Sequence, residues 1–193
     1  QISPEDIKSI GITNQRETIT AFKKDGSPIE NAIVWQDRRT VEFCEQLKKE
    51  EKEELIKNAT GLTLDPYFSG TKINWLIKNS KNIMNELNNG NCLFGTIDTF
   101  LTYRLTGGGS YITEPSNASR TLLMDLGTSD WSNQLLEIFE VPRSSLPIIK
   151  DSFSNFGETK NVGFLPDGIP ITGILGDQQA ALFGQGGINP GDL

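Results

Sequence analysis

Three places in this chain combine residue types that could act on a small molecule carrying hydroxyl groups. Asp177 stands where the apolar run Ile169-Pro170-Ile171-Thr172-Gly173-Ile174-Leu175 gives way to Gly176-Asp177-Gln178. Ligands of α/β proteins gather at the carboxyl ends of strands. An ionised carboxylate there could take a proton from a substrate hydroxyl. Asp is also among the best helix N-caps, and capping is the competing role. Asn14-Gln15-Arg16-Glu17 puts four hydrogen-bonding side chains in a row at the end of a strand pattern. Arg donates in a planar fork and Glu only accepts, so together they can grip a hydroxyl, which does both. The alternative is a solvated local ion pair. Trp35 follows Ile33-Val34 and precedes Gln36-Asp37-Arg38-Arg39. It could lie against the carbon skeleton of a polyol or pack in the core.

The elements around these residues alternate in type. Residues 8–14 and 18–23 read as strands, with an Asp25-Gly26 turn, and 32–35 as a third short strand. Residues 39–57 read as a charged surface helix broken near Glu50 and ended at Gly61. Helices are expected over 71–79 and 82–87, a strand over 92–95, and a helix over 96–105 closed by Gly107-Gly108-Gly109. Residues 110–131 read as irregular or strand-like. A helix with Ser132 as N-cap runs to Phe139, and residues 141–168 are loop-rich. The buried strand 169–175 leads into a helix over 180–183. Interleaved strands and helices make the class α/β. Adjacent strand residues face opposite ways, so Arg16 and Glu17 can serve one ligand only if the strand breaks or bulges there.

Composition narrows the field. The 193 residues include 25 Asp and Glu against 18 Lys and Arg, for a net charge of -7. Such a surface repels phosphate backbones and anionic lipids, so nucleic acid is not an expected partner. There is no His and there are only two cysteines, Cys44 and Cys92. A His-dependent triad and a structural zinc site are thereby excluded. Two isolated cysteines fit free thiols in a reducing cytoplasm. No apolar run is long enough to insert in a membrane. Gln1-Ile2-Ser3-Pro4-Glu5-Asp6 reads as a helix start already under way and Asn189–Leu193 as a turn-rich stop, so both ends look cut from something longer.

Read together, the segments carry a resemblance that none carries alone. Asn14-Gln15-Arg16-Glu17-Thr18, Trp35-Gln36-Asp37-Arg38-Arg39, Asn117-Ala118-Ser119-Arg120-Thr121 and Gly176-Asp177-Gln178-Gln179-Ala180-Ala181-Leu182 resemble the glycerol kinases, in that family's order. Residues 67–79, from Tyr67-Phe68-Ser69-Gly70-Thr71-Lys72 onward, resemble the signature of the wider FGGY carbohydrate-kinase family. The resemblance implies an actin-like ATPase, ribonuclease H-like fold, of which this chain would hold an incomplete first domain. Residues 1–187 would form its substrate-binding part, and 188–193 the start of a connection to a second domain. It implies a cytoplasmic enzyme moving the ATP γ-phosphate to glycerol, with Asp177 as catalytic base. Asp177 would also lie near Mg²⁺, directly or through water. Arg16, Glu17 and Gln178 would hydrogen-bond glycerol, and Trp35 would line its pocket. Nucleotide-binding residues would lie largely outside the chain, leaving it inactive by itself; a homo-oligomer is compatible with the resemblance. All these side chains would have to converge on one small cleft.

The pattern is not complete. The family's amino-terminal phosphate motif and adenine-binding domain are missing. Pro115 stands where many members place a Tyr that bonds glycerol, and Gly163–Gly168 lacks the Arg of a bacterial inhibitor loop. The rival readings are a kinase of the same family acting on a pentulose or sugar acid, and a non-catalytic actin-like binding module.

Overall fold

The computed structural model of the chain describes residues 3–192. Gln1, Ile2 and Leu193, part of the expected cut ends, lie outside the described residues. From Ser3 the chain makes one 3-10 turn, Pro4–Asp6, in which Ser3 and Asp6 bond each other's backbone as a capping box.

Two strands follow, β1 (Ile10–Asn14) and β2 (Ile19–Lys23). Helices α1 (Val41–Lys49) and α2 (Glu53–Thr60) come next. The break between them falls at Glu50–Lys52, where Glu51 takes a left-handed φ of 57°. Gly61 then ends α2 at a φ of 70°, a conformation glycine adopts without steric cost. Ser80 separates α3 (Ser69–Asn79) from α4 (Lys81–Asn88), and its hydroxyl accepts from Ile83 N–H as the cap of α4. The chain continues through β3 (Cys92–Thr96), α5 (Ile97–Leu105), β4 (Ile112–Thr113) and α6 (Pro115–Ala118). After β5 (Met124–Asp125) and β6 (Asp130–Trp131) comes α7 (Asn133–Ile138), capped by Ser132 as expected. The last elements are β7 (Ile148–Ile149), β8 (Ile171–Gly176) and α8 (Asp177–Gly184).

One expected strand does not form. Residues 32–35 contribute only a bridge between Ile33 and Ile19. The loop touches β2 at Pro28 opposite Phe22, again where Ile29 N–H donates to Ala21, and again at Ile33. Residues 29–33 thus lie opposite only 21–19, so the excess must bulge out of the ladder.

The pairing that matters most for function joins β1 to β8. They run parallel, with Ile12 opposite Ile174 and Asn14 opposite Gly176. Their carboxyl ends therefore finish side by side, although they come from opposite ends of the chain. β2 pairs antiparallel with β3, all five residues of which are buried. Two short pairs, β4 with β7 and β5 with β6, complete the described ladders. The main core collects Ile19, Ile33, Ile56, Ile73, Ile83, Phe94, Leu122, Leu135 and Phe139 from β2, β3 and the surrounding helices and loops. A smaller cluster of Ile12, Ile112, Phe156, Ile171 and Ile174 supports β1 and β8. Phe22 lies fully buried between Phe100 and Tyr103, each 5.2 Å away between ring centres. Among the described residues no helix is long and apolar enough to cross a membrane.

Candidate functional site

β1 ends at Asn14, and Arg16 and Glu17 form a turn rather than continuing the strand. Strand alternation therefore no longer applies, and both side chains turn inward, with the residues 4% and 3% exposed. Arg16 Nη2 is 3.8 Å from Glu17 Oε1, and Arg16 Nε is 3.3 Å from Asp177 Oδ1. Nε has no aligned hydrogen-bond acceptor, so the contact to Asp177 is an ion pair without a well-directed bond. Arg16 Nη1 donates to Gln179 Oε1 at 3.3 Å. Gly176 is what allows this approach: a Cβ there would overlap Arg16 Cδ and Cγ.

Asp177 occupies the first helical position of α8, and Gly176 is the N-cap. Its Oδ1 accepts from the Gln178 N–H at 2.9 Å. The carboxylate thus meets both Arg16 and its own helix, while its side chain stays 53% exposed. Gln178 is exposed on the first turn of α8. The glutamine bonded to Arg16 is its neighbour Gln179.

Glu17 is held from two further directions. Arg120 Nε donates to Glu17 Oε1 at 2.7 Å. The Arg120 guanidinium lies over the rings of Phe68 and Tyr67, 4.9 and 6.0 Å from their centres. Lys72, fully buried in α3, donates to the Glu17 carbonyl at 3.0 Å and to the Tyr67 carbonyl at 2.6 Å. Burial pulls its ammonium down to about 8, while Glu17, Asp37 and Asp65 pull it back up. Burial also pushes the Tyr67 phenol up, with the Glu17 charge adding to it. Trp35 meets Tyr67 edge to face at 5.7 Å and is 38% exposed. It belongs to an aromatic wall beside Arg120 and not to the core.

Arg16, Glu17 and Asp177 are therefore in one cluster, with Trp35 joined to it through Tyr67 and Arg120. The sequence reading assigned no roles to Lys72, Tyr67, Glu114, Arg120 or Gln179. The signal lay in the same segments: Arg120 sits in the Asn117–Thr121 motif and Lys72 in the 67–79 signature. Pro115 sits at the first position of α6, where its missing N–H would have no helical partner in any case.

The donor set suits only a lightly held cation. Among the described residues no group of three or more Cys, Asp or Glu side chains could enclose a metal. Asp177 offers one half-exposed carboxylate. Magnesium keeps several waters and is usually held by one or two carboxylates together with substrate phosphates. One carboxylate fits that role.

The same segments are matched by known proteins. Residues 1–184 match the model of the FGGY family of carbohydrate kinases, N-terminal domain. A glycerol kinase of Bdellovibrio bacteriovorus is 55% identical over all 193 residues, which cover 39% of that protein. One from Myxococcus xanthus is 50% identical over 97% of the chain and 38% of its own length. The crystal structure of Plasmodium falciparum glycerol kinase with ADP superposes with a TM-score of 0.87 at 43% identity, over 93% of this chain and 36% of that one. A xylulose kinase from Rhodospirillum rubrum superposes at 0.85 with 18% identity over 95% of this chain and 37% of that one, a likeness of fold alone. The chain thus spans about two fifths of the length of the relatives it matches. The mixed α/β fold is the actin-like ATPase fold in part, and the chain belongs to the FGGY family of carbohydrate kinases.

Proposed function

We propose that the protein containing this chain is a glycerol kinase, transferring the γ-phosphate of ATP to a terminal hydroxyl of glycerol to give glycerol 3-phosphate and ADP. The observation that carries this reading is the cluster of Arg16, Glu17 and Asp177 at the paired ends of β1 and β8. Arg16 donates to glycerol hydroxyls and Glu17 accepts from them. Trp35 and Tyr67 provide an apolar wall for the carbon chain. Asp177 Oδ2, the oxygen not engaged by Arg16 or Gln178, takes the proton of the attacking hydroxyl as the new O–P bond forms and the bond to the ADP oxygen breaks. Gln178, exposed beside Asp177, has room to reach the same ligand. A magnesium ion near Asp177 would neutralise phosphate charge.

The names of the 55% and 50% identical relatives support glycerol as acceptor. Residues 1–187 are, in this reading, the substrate-binding part of the first domain, with 188–193 leading to a second. The 193-residue chain by itself then lacks the nucleotide-holding half and turns over no ATP. Two buried free cysteines suit a cytoplasmic setting. The test is phosphoryl transfer by the whole protein with glycerol, xylulose and gluconate in competition. Glycerol should have the highest kcat/KM by a wide margin. Preference for xylulose or gluconate would move the protein to another branch of the family, and no transfer to any of them would leave a binding module.

A further inference from the structure

Glu114 lies outside the cluster just described, is fully buried, and accepts from five donors. Its Oε1 receives Ser116 Oγ–H at 2.6 Å, Asn117 N–H at 2.7 Å and Asn117 Nδ2–H at 2.7 Å. Its Oε2 receives Ser116 N–H at 2.9 Å and Ser152 Oγ–H at 2.6 Å. A carboxylate has acceptor sites on both oxygens and donates nothing, so it is the side chain suited to such a ring of donors.

The arrangement is directional. Because Ser116 gives its hydroxyl proton to Glu114, its oxygen is left to accept, and it does so from the Gly176 N–H at 2.8 Å. Because Asn117 gives its Nδ2 to Glu114, its Oδ1 must face the other way, where it accepts from Asn14 Nδ2 at 2.9 Å. Asn14 Nδ2 also donates to the Gln15 carbonyl at 3.1 Å, and Asn14 Oδ1 is left buried without a partner. The direction is fixed at one end by Glu114, which can only accept, and agrees at the other end with the Gln15 carbonyl, so that Asn14 Oδ1 is the atom left over. Gly176 immediately precedes Asp177, and Asn14 and Gln15 immediately precede Arg16. One buried carboxylate thus holds both strand ends that carry the cluster.

We propose that Glu114 is a positioning residue for phosphoryl transfer, setting Asp177 through Ser116 and the Arg16–Glu17 turn through Asn117. The proposal rests on the glycerol-kinase reading above. Its two arms predict different kinetic signatures. In the whole protein, Ser116→Ala frees the Gly176 end only and lowers kcat, with the KM for glycerol little changed. Asn117→Ala frees the Asn14 end only and raises the KM for glycerol, with kcat less affected. Glu114→Gln affects both parameters, by about tenfold or more in kcat/KM, since small misplacement of reacting groups costs up to about a hundredfold. Glu114→Asp keeps the charge and the α6 cap and recovers most of the loss. The KM for ATP stays unchanged throughout.

A readout free of catalysis accompanies these. Amide hydrogen exchange of the segment containing Gly176 should accelerate in Ser116→Ala and Glu114→Gln but not in Asn117→Ala. If the unsubstituted protein phosphorylates no glycerol, the functional reading fails while exchange still tests the anchoring. If it phosphorylates glycerol and the variants show no kcat-against-KM split, or equal losses that follow melting temperature alone, Glu114 is an ordinary structural residue and the proposal is overturned. Should Glu114→Gln fail to fold, the split between Ser116→Ala and Asn117→Ala decides alone.

Discussion

Arg16 Nε lies 3.3 Å from Asp177 Oδ1, and the two residues meet because parallel β1 and β8 end in register, Asn14 opposite Gly176. Arg16 is 4% exposed while the Asp177 side chain is 53% exposed. The cation is thus held inside and the carboxylate keeps a face to solvent. A buried guanidinium must be paired, and here it is shared among Asp177, Glu17 and the side-chain Oε1 of Gln179.

Asp177→Asn keeps the size of the side chain and removes the proton acceptor. General-base catalysis contributes about 10²–10⁴-fold, and kcat for glycerol in the whole protein should fall by that range. Steady-state kinetics with a melting curve on the same sample checks it. A variant within a few-fold of the original would make Asp177 a helix-terminus residue only.

Gly176→Ala tests the packing of Arg16 without touching a charge. The φ of -57° at Gly176 suits alanine, so the backbone need not change. The added methyl meets Arg16 Cδ and Cγ and comes within 3.1 Å of Gln179 Oε1. Arg16 must swing away, and the KM for glycerol should rise about tenfold, the cost of roughly one hydrogen bond to a charged group. Melting temperature should fall as well, because the displaced guanidinium is buried and paired with Glu17 and Asp177. An unchanged KM would show that Arg16 does not bind the acceptor.

Arg120→Lys should not be tolerated as a conservative change. Arg120 lies over Phe68 and Tyr67 while its Nε reaches Glu17. A lysine offers a point charge without a planar face and cannot do both. Glu17 then loses its fixed orientation, and the affinity for glycerol measured by calorimetry should drop about tenfold or more. Equal affinity in Arg120→Lys and the original would reduce Arg120 to a charge partner.

Asp98 gives a pH signature in stability. It is fully buried, accepts from Thr113 Oγ1 at 2.6 Å, and leaves Oδ1 without a partner. Burial pushes its carboxyl up to about 6 from an ordinary 3.8, with Thr113 and Thr96 pulling down and Glu114 pushing up. The folded state therefore holds this proton more tightly than the unfolded one. Its stabilising contribution is fully present below pH 3.8 and is lost as pH rises through about 6. The loss is on the order of 3 kcal/mol. Asp98→Asn has no such proton, so the melting temperature of the variant minus that of the original should rise between pH 4 and pH 7. A constant difference would mean that Asp98 is ionised throughout that range.

The local readings that held were those with a local cause. The break near Glu50, the Ser132 cap, the strand over 92–95 and the alternation of strands and helices all follow from nearby residues. The strand expected at 32–35 failed because Pro28 and the wide return of the loop leave only scattered contacts with β2. The choice between cap and base at Asp177 could not be settled locally either, since its carboxylate bonds its own helix and also faces Arg16. Lys72 looked like any lysine on a helix; only the packing of α3 beneath Glu17 and Tyr67 makes it a buried clamp.

The sequence by itself determined the class of the fold, the family through segments in a set order, and which residue types could serve a hydroxylated ligand. These depend on side-chain chemistry and on short-range periodicity, which the linear chain displays directly. Tertiary structure alone decided that Arg16 and Glu17 leave the strand and face one way, that Gln179 rather than Gln178 bonds Arg16, and that Glu114 ties both strand ends together. Each depends on the parallel register of β1 with β8 and on how α6 packs against it. Such contacts join residues far apart in the chain, and their direction is set by which donors and acceptors remain once the core has closed around them.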